Sequence, residues 1–339
     1  MSKAFQPLFI IGSPRSGTTM LQILLGEHPQ VSTTVELTLF KRYISPWLRM
    51  WDEEKGNSLQ GRWNQGLPFV LEREEVVDFL KTFLATVYSK LQDRKQTATH
   101  VLDKHPANAL FTPLIRDLLP HARFIHVIRD GRDVACSMVS AARQIGFGTH
   151  TIPESAVAWK RHVLAAREAS RQEGYFEIRY EAFLRDGVAA YRDVLDFCGL
   201  PYNDEWIAQT IENNTFEKMK AARRSGDVLV QARRAHYRSG RAGAWKETLS
   251  ELDAFEFDRL AGDLLRELGY ENSADWWHRS SFSPIVTPPL ATARRRYASL
   301  LPVITGTKAF RRLISQWNGA LIQGPANLSG SRPENEGSA

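Results

Sequence analysis

The stretch that most constrains this chain is Pro7-Leu8-Phe9-Ile10-Ile11-Gly12-Ser13-Pro14-Arg15-Ser16-Gly17-Thr18-Thr19. Its apolar run, 8–11, breaks at Gly12. A helix-like pattern then begins at Gly17, carried by Met20, Leu21, Ile23, Leu24 and Leu25. Strand, glycine loop and helix in that order make a phosphate cradle, in which loop N–H groups and the helix N-terminus supply positive potential. A nucleotide triphosphatase needs a lysine where this chain has Thr18. Without that amine the loop lacks its partner for β- and γ-phosphates, although Thr18 and Thr19 still offer hydroxyls. The cradle suits a phosphate bearing something other than further phosphates, which points away from ATP.

Strand-like and helix-like segments alternate along the chain, the pattern of an α/β fold with a parallel sheet flanked by helices. Strands are expected at 8–11, 31–35, 100–102, 123–128 and 176–180. Helices are expected at about 17–27, 37–50 (interrupted near Pro46), 72–92, 108–119, 154–172, 187–198, 203–213 and 250–268. His28-Pro29 stops the first helix, and 52–68 reads as a surface loop. The segment 221–243 is basic and contains glycine, with Asp227 as its one acid. A charge run of this kind is usually a solvated face; the alternative is a lid ordered by an anion. Three regions follow: a main domain over 1–272, a C-terminal helical extension over 273–324, and a polar tail over 325–339 expected to be disordered.

Composition narrows the partners. The 339 residues are 43% apolar and 24% charged, with a net charge of +6. That modest charge fits an anionic ligand but gives no argument for nucleic acid. Cys136 and Cys198 are the only cysteines, without disulfide or metal spacing, which suits a reducing compartment. No signal peptide precedes the first strand, and no apolar stretch reaches the roughly 18 residues of a membrane span, so a cytoplasmic location is expected. The basic segment 294–317 either touches a membrane surface or packs on the domain. Oligomeric state stays open.

Two further segments carry chemistry. At the carboxyl end of strand 123–128, Arg129-Asp130-Gly131-Arg132 leads to Ser137, placing a cation and a hydroxyl at the sheet edge where α/β ligands sit. Nearer the C-terminus, Arg238-Ser239-Gly240-Arg241-Ala242-Gly243-Ala244-Trp245-Lys246 joins close-approach glycines to cations and an aromatic plate, a clamp for a phosphate beside a purine.

These three motifs, in this order, resemble those of the sulfotransferases that use 3′-phosphoadenosine 5′-phosphosulfate (PAPS), from residue 8 to about 272. The flavour is that of the tyrosylprotein sulfotransferases, through Pro14-Arg15-Ser16-Gly17-Thr18-Thr19, His28-Pro29, Glu36, Lys104 and Arg129. The resemblance implies a P-loop-like, sulfotransferase-type sheet and a metal-free reaction. Arg15, Ser16, Gly17, Thr18 and Thr19 would hold the 5′-phosphosulfate, and Arg129 and Ser137 the 3′-phosphate. Tyr180 would lie near the adenine, with Arg238, Gly240 and Lys246 closing over the 3′-phosphate. Glu36 would take the acceptor's proton, Lys104 would meet the bridging oxygen, and Arg15 would add charge at the transferring group. His105 is the rival base, one position past Lys104 where cytosolic members carry a histidine two past.

The acceptor would be a hydroxyl of a protein tyrosine, a saccharide or a small metabolite, met by loops at 40–70, 143–153 and 221–240. Plainer readings stand beside these roles: Glu36 as a helix-capping carboxylate, Lys104 as a surface lysine, His105 as a packing residue, Asp133 as a first-turn helix acid. Two rival functions remain. One is a P-loop phosphotransferase using ATP and Mg²⁺ through Asp130, the other a phosphonucleotide-binding protein without catalysis.

Overall fold

Residues 4–61, 66–215, 218 and 240–278 are described by a computed structural model. The chain divides into Met1–Ser283 and Pro284–Ala339, and the second part lies outside the described residues. So do the greater part of the expected extension, the expected tail and the basic segment 294–317.

The sheet has five strands in the order β2-β3-β1-β4-β5, every pairing parallel. They are β1 (Gln6–Gly12), β2 (Val31–Thr33), β3 (His100–Lys104), β4 (Arg123–Ile128) and β5 (Tyr175–Arg179). A parallel sheet covered on both faces needs strands that are apolar throughout, which is why β1 reads Leu8-Phe9-Ile10-Ile11. Phe9 and Ile11 join Phe40, Leu80, Tyr88 and Phe124 on one face. Leu8 and Ile10 join Leu21, Leu24, Val127 and Tyr191 on the other. All four β1 side chains are fully buried, and truncating any one to alanine would cost about 2–5 kcal/mol.

Helix α1 (Thr18–Glu27) follows the loop and stops at His28-Pro29 as expected. Its C-terminal end is tied down by Lys95, whose Nζ donates to the carbonyls of Gly26, His28 and Val31. Helix α2 (Ser45–Leu59) departs from expectation. The helical run begins earlier, as a π-helical segment over Phe40–Ile44, and passes into the regular α-helix at Ser45. The expected irregularity near Pro46 is thus a change of helix type, with the proline in the first α-turn, where its missing N–H is tolerated. Leu48 and Trp51 bury its inner face, carrying the helix into the segment expected to be loop. The expected helix 108–119 is also two pieces, a 3₁₀ turn over Pro106–Phe111 and helix α4 (Thr112–Leu118). Pro113 has no N–H to bond backwards, so the helix restarts there.

Helix α3 (Arg73–Gln92) and helices α5 (Gly131–Ile145), α6 (Ile152–Arg167), α7 (Tyr180–Arg185), α8 (Gly187–Cys198) and α9 (Asp204–Asn213) complete the layers. A short α10 (Trp245–Thr248) and α11 (Glu251–Glu267) pack with α5 and α6 around Trp159, Trp245, Trp276 and Phe257. Cys136 and Cys198 are both buried, and neither is in a disulfide. Among the described residues no helix is long and apolar enough to cross a membrane.

Candidate functional site

The loop between β1 and α1 turns through two left-handed residues, Arg15 (φ 72) and Gly17 (φ 97). This conformation lines successive backbone N–H groups along a concave face, an anion nest. Holding arginine there costs of the order of 1–3 kcal/mol, the kind of strain that collects at ligand sites. Gly17 is required twice over: besides its φ, a Cβ there would lie 2.4 Å from Cδ2 of Tyr180. Tyr180 opens α7 directly after β5, and its hydroxyl donates to the carbonyl of Gly240 at 2.9 Å. Thus the tyrosine joins the phosphate loop to the C-terminal glycine segment. Inside the loop, the Ser16 hydroxyl is buried without a hydrogen-bond partner among the described residues.

Arg129, at the carboxyl end of β4, reaches the back of the same loop. Its Nη1 donates to the Arg15 carbonyl at 3.3 Å and its Nη2 to the Arg241 carbonyl at 2.9 Å. Its guanidinium lies 4.5 Å over the Tyr180 ring, and its Nε is buried without a partner among the described residues. Ser137, two turns along α5, accepts from Nε of Arg15 at 3.0 Å. The two anion-holding groups expected from separate motifs are therefore adjacent, well within the span of one nucleoside.

Asp133 was readable only as a first-turn helix acid, and it does more. Fully buried, it accepts from the amides of Gly243 (2.8 Å) and Trp245 (2.9 Å) and lies 3.7 Å from Arg129 Nη2. Burial pushes its carboxyl up, while the Arg129 charge and those two amides pull it down. It fastens the C-terminal glycine segment to the arginine. The one signal in the sequence was its place four residues after Arg129, the spacing of an ion pair on a helix.

A second cluster forms beside the loop. Lys104, the last residue of β3 and 4% exposed, donates to Thr19 Oγ1 at 3.2 Å and to Glu36 Oε1 at 2.5 Å. An ammonium thus reaches Thr19 from the neighbouring strand, while the position of Thr18 in the loop itself still carries no amine. Glu36, on the segment after β2, is one-third exposed and has His105 Nε2 3.5 Å from its other oxygen. Beneath this pair Asp103 is buried, accepting from Tyr88 Oη (2.9 Å) and Asn108 Nδ2 (3.3 Å).

Not every expected residue joins the site. Lys246 is exposed, with its Nζ 5.8 Å from the Trp245 ring. Trp245 is no plate for a purine: it is 6% exposed, with Arg132 4.0 Å over its ring and Trp276 edge-on at 5.3 Å. Arg132 claims that face because Asp130 and Glu271 hold its guanidinium there. Gly240 is present through its carbonyl, and Arg238 lies outside the described residues. Of the loops expected to meet an acceptor, 221–239 also lies outside them. Part of 143–153 lines a cleft of about 610 Å³ with Cys136, Val139 and Asp253.

Residues 7–204, more than half of the chain, match the family described as the sulfotransferase family. The chain belongs to that family. This sulfotransferase is 24% identical over 275 residues to protein-tyrosine sulfotransferase A of Caenorhabditis elegans, covering 79% of this chain and 68% of that one. It is 25% identical over 283 residues to a putative protein-tyrosine sulfotransferase of Caenorhabditis briggsae, covering 81% and 92%. Among solved structures, mouse sulfotransferase SULT7A1 complexed with PAP shares the fold, with a TM-score of 0.50 at 17% identity over 80% of this chain and 89% of that one. The expected parallel, helix-flanked sheet is the fold found. The enzyme's activity is sulfuryl transfer.

Proposed function

We propose that this sulfotransferase takes its sulfuryl group from PAPS and delivers it to a tyrosine hydroxyl. The observation that carries the donor is the placement of Arg129 against Arg15, with Ser16 Oγ and Arg129 Nε both buried and without a partner among the described residues. Leaving such groups unpaired costs about 1–3 kcal/mol each. An adenosine carrying one anion at its 5′ end and another at its 3′ end supplies acceptors for both. Ser16, Thr18, Thr19 and the loop amides would hold the 5′ phosphosulfate, Arg129 and Ser137 the 3′ phosphate, and Tyr180 would flank the nucleoside.

When bound, the donor supplies an activated sulfuryl group whose departure leaves negative charge on a phosphate oxygen. The chain's own residues are arranged for that charge. Lys104 Nζ sits at Thr19, beside the loop, in a site where burial strengthens its field. Arg15 lies across the loop with its Nε held by Ser137. Glu36 is held by Lys104 on one oxygen while remaining accessible. It is suited to accept the hydroxyl proton of an acceptor aligned for in-line attack. The names of the relatives favour tyrosine as that acceptor.

The rival that places Mg²⁺ on Asp130 is opposed by what that carboxylate already does. Both its oxygens accept from Arg132, and it caps α5 through the Arg132 amide. The test is mass-spectrometric detection of sulfate on a tyrosine-containing peptide incubated with enzyme and PAPS. Transfer to the phenol is expected, with Glu36→Gln and Lys104→Ala each slowing it by about 10²-fold or more. Phosphate transfer from ATP and Mg²⁺ instead would overturn the reading. So would donor binding without turnover on any hydroxyl.

A further inference from the structure

His105 follows the Lys104 that ends β3 and caps the 3₁₀ turn Pro106–Phe111. Its Nδ1 accepts the backbone N–H of Ala107 at 3.1 Å. A ring nitrogen that accepts carries no proton, so the neutral ring holds its single proton on Nε2. Nε2 is the atom that faces Glu36 Oε2, at 3.5 Å. That separation is long for a hydrogen bond, as such contacts often are before a substrate closes the site.

The turn itself is fixed from below. Asn108 donates its backbone N–H to the His105 carbonyl at 2.9 Å and its side-chain amide to Asp103, which Tyr88 also holds. Two consecutive residues therefore face the two oxygens of one carboxylate, Lys104 bonded to Oε1 and His105 3.5 Å from Oε2.

We propose that His105 is not the base but the positioning residue of Glu36, a single tautomer set by the Ala107 amide that points Nε2–H at Oε2. The inference rests on Glu36 as proton acceptor. In the transfer, Glu36 gains the acceptor's proton and His105 keeps its own. Burial supports the neutral ring, pushing it down to about 4, with Lys104, Lys41 and Arg42 acting in the same direction and Glu36 against them. His162 also lies within electrostatic reach of the ring, and Asp103 within reach of Glu36.

Two measurements on the full chain test this. The first is the ¹⁵N shifts of histidine-labelled protein, with His105 assigned by its loss in His105→Gln. A proton on Nε2 and a bare Nδ1 are expected between about pH 5 and 8. A proton on Nδ1, or a doubly protonated ring in that range, overturns the proposal whether or not sulfuryl transfer is seen. The second compares the kcat profiles of His105→Ala and His105→Gln with PAPS and a tyrosine peptide. Loss of the Nε2–H donor destabilises the Glu36 anion. His105→Ala should therefore lower kcat roughly tenfold and move its acid limb to higher pH. His105→Gln, which restores an N–H at that place, should recover both. Glu36, Lys104, Lys41, Arg42, His162 and Asp103 are common to the two variants, so the contrast isolates the donor. Equal losses in both variants would make His105 the base or a packing residue and defeat the inference. A chain that transfers nothing defeats the reading of Glu36, while the ¹⁵N result still decides the tautomer.

Discussion

Arg129 concentrates the proposed donor site in one side chain. It holds the Arg15 carbonyl, the Arg241 carbonyl and the face of Tyr180, and retains a buried N–H without a partner among the described residues. Arg129→Ala should weaken binding of 3′,5′-adenosine bisphosphate about 10- to 100-fold, the worth of one or two hydrogen bonds to a charged group. AMP, which has no 3′-phosphate, should lose little. Titration calorimetry of both ligands on both proteins checks this, and equal losses would remove Arg129 from the 3′ end. Arg129, Ser137 and the loop were legible in the sequence because strand, glycine and helix fix their places locally. Asp133 was not, because the amides it binds are 110 and 112 residues further along. Trp245 was misread for a similar reason: nothing near it in the chain shows that Arg132 occupies its face.

At the scale of elements, glycine and proline were the reliable marks, and their exact use was decided by packing. Pro46 reads as a break in the sequence, and in the structure it marks the place where the π-helical segment Phe40–Ile44 passes into regular α-helix. Gly131 opens α5 where a Cβ would come within 2.6 Å of the Trp159 ring, and the indole N–H donates to the Arg129 carbonyl at 3.2 Å. Gly131→Ala should therefore push the tryptophan away and destabilise the chain by about 1–3 kcal/mol. Bisphosphate affinity should fall with it, read by thermal melts with and without ligand. The end of β3 carries a second prediction. Burial pushes Asp103 from 3.8 up to about 6, although its bonds to Tyr88 and Asn108 and the charge of Lys104 oppose the rise. A raised folded pKa gives a stability contribution complete below pH 3.8 and lost as pH climbs through 6. The melting temperature of the wild type minus that of Asp103→Asn should accordingly shrink between pH 4 and 6 and level off above. A difference that stays constant, or grows, over that range would show that the pKa of Asp103 is not raised in the folded chain.

Across the whole molecule, the sheet order explains why distant motifs meet. From β1 the chain runs to β2 and β3 on one side, then crosses to β4 and β5 on the other. The carboxyl ends of the central strands therefore flank the switch in direction, where open α/β sheets bind ligands. Gly12 ends β1, Lys104 ends β3, and Arg129 follows β4, so one edge gathers the loop, the ammonium and the guanidinium. Alternating strands and helices were enough to foresee that sheet. The cross-strand delivery of Lys104 to Thr19 was not foreseeable, since it depends on the pairing of Ile10 with Lys104.

The central claim is that this edge grips an adenosine by two separated anions and has no amine in its loop for a triphosphate. Calorimetric titration of the full chain with 3′,5′-adenosine bisphosphate, and separately with ATP and Mg²⁺, tests it most directly. The account predicts clear binding of the bisphosphate, tighter by tenfold or more than ATP with Mg²⁺, roughly the worth of one charged hydrogen bond. Equal affinity, or preference for ATP with Mg²⁺, would contradict it.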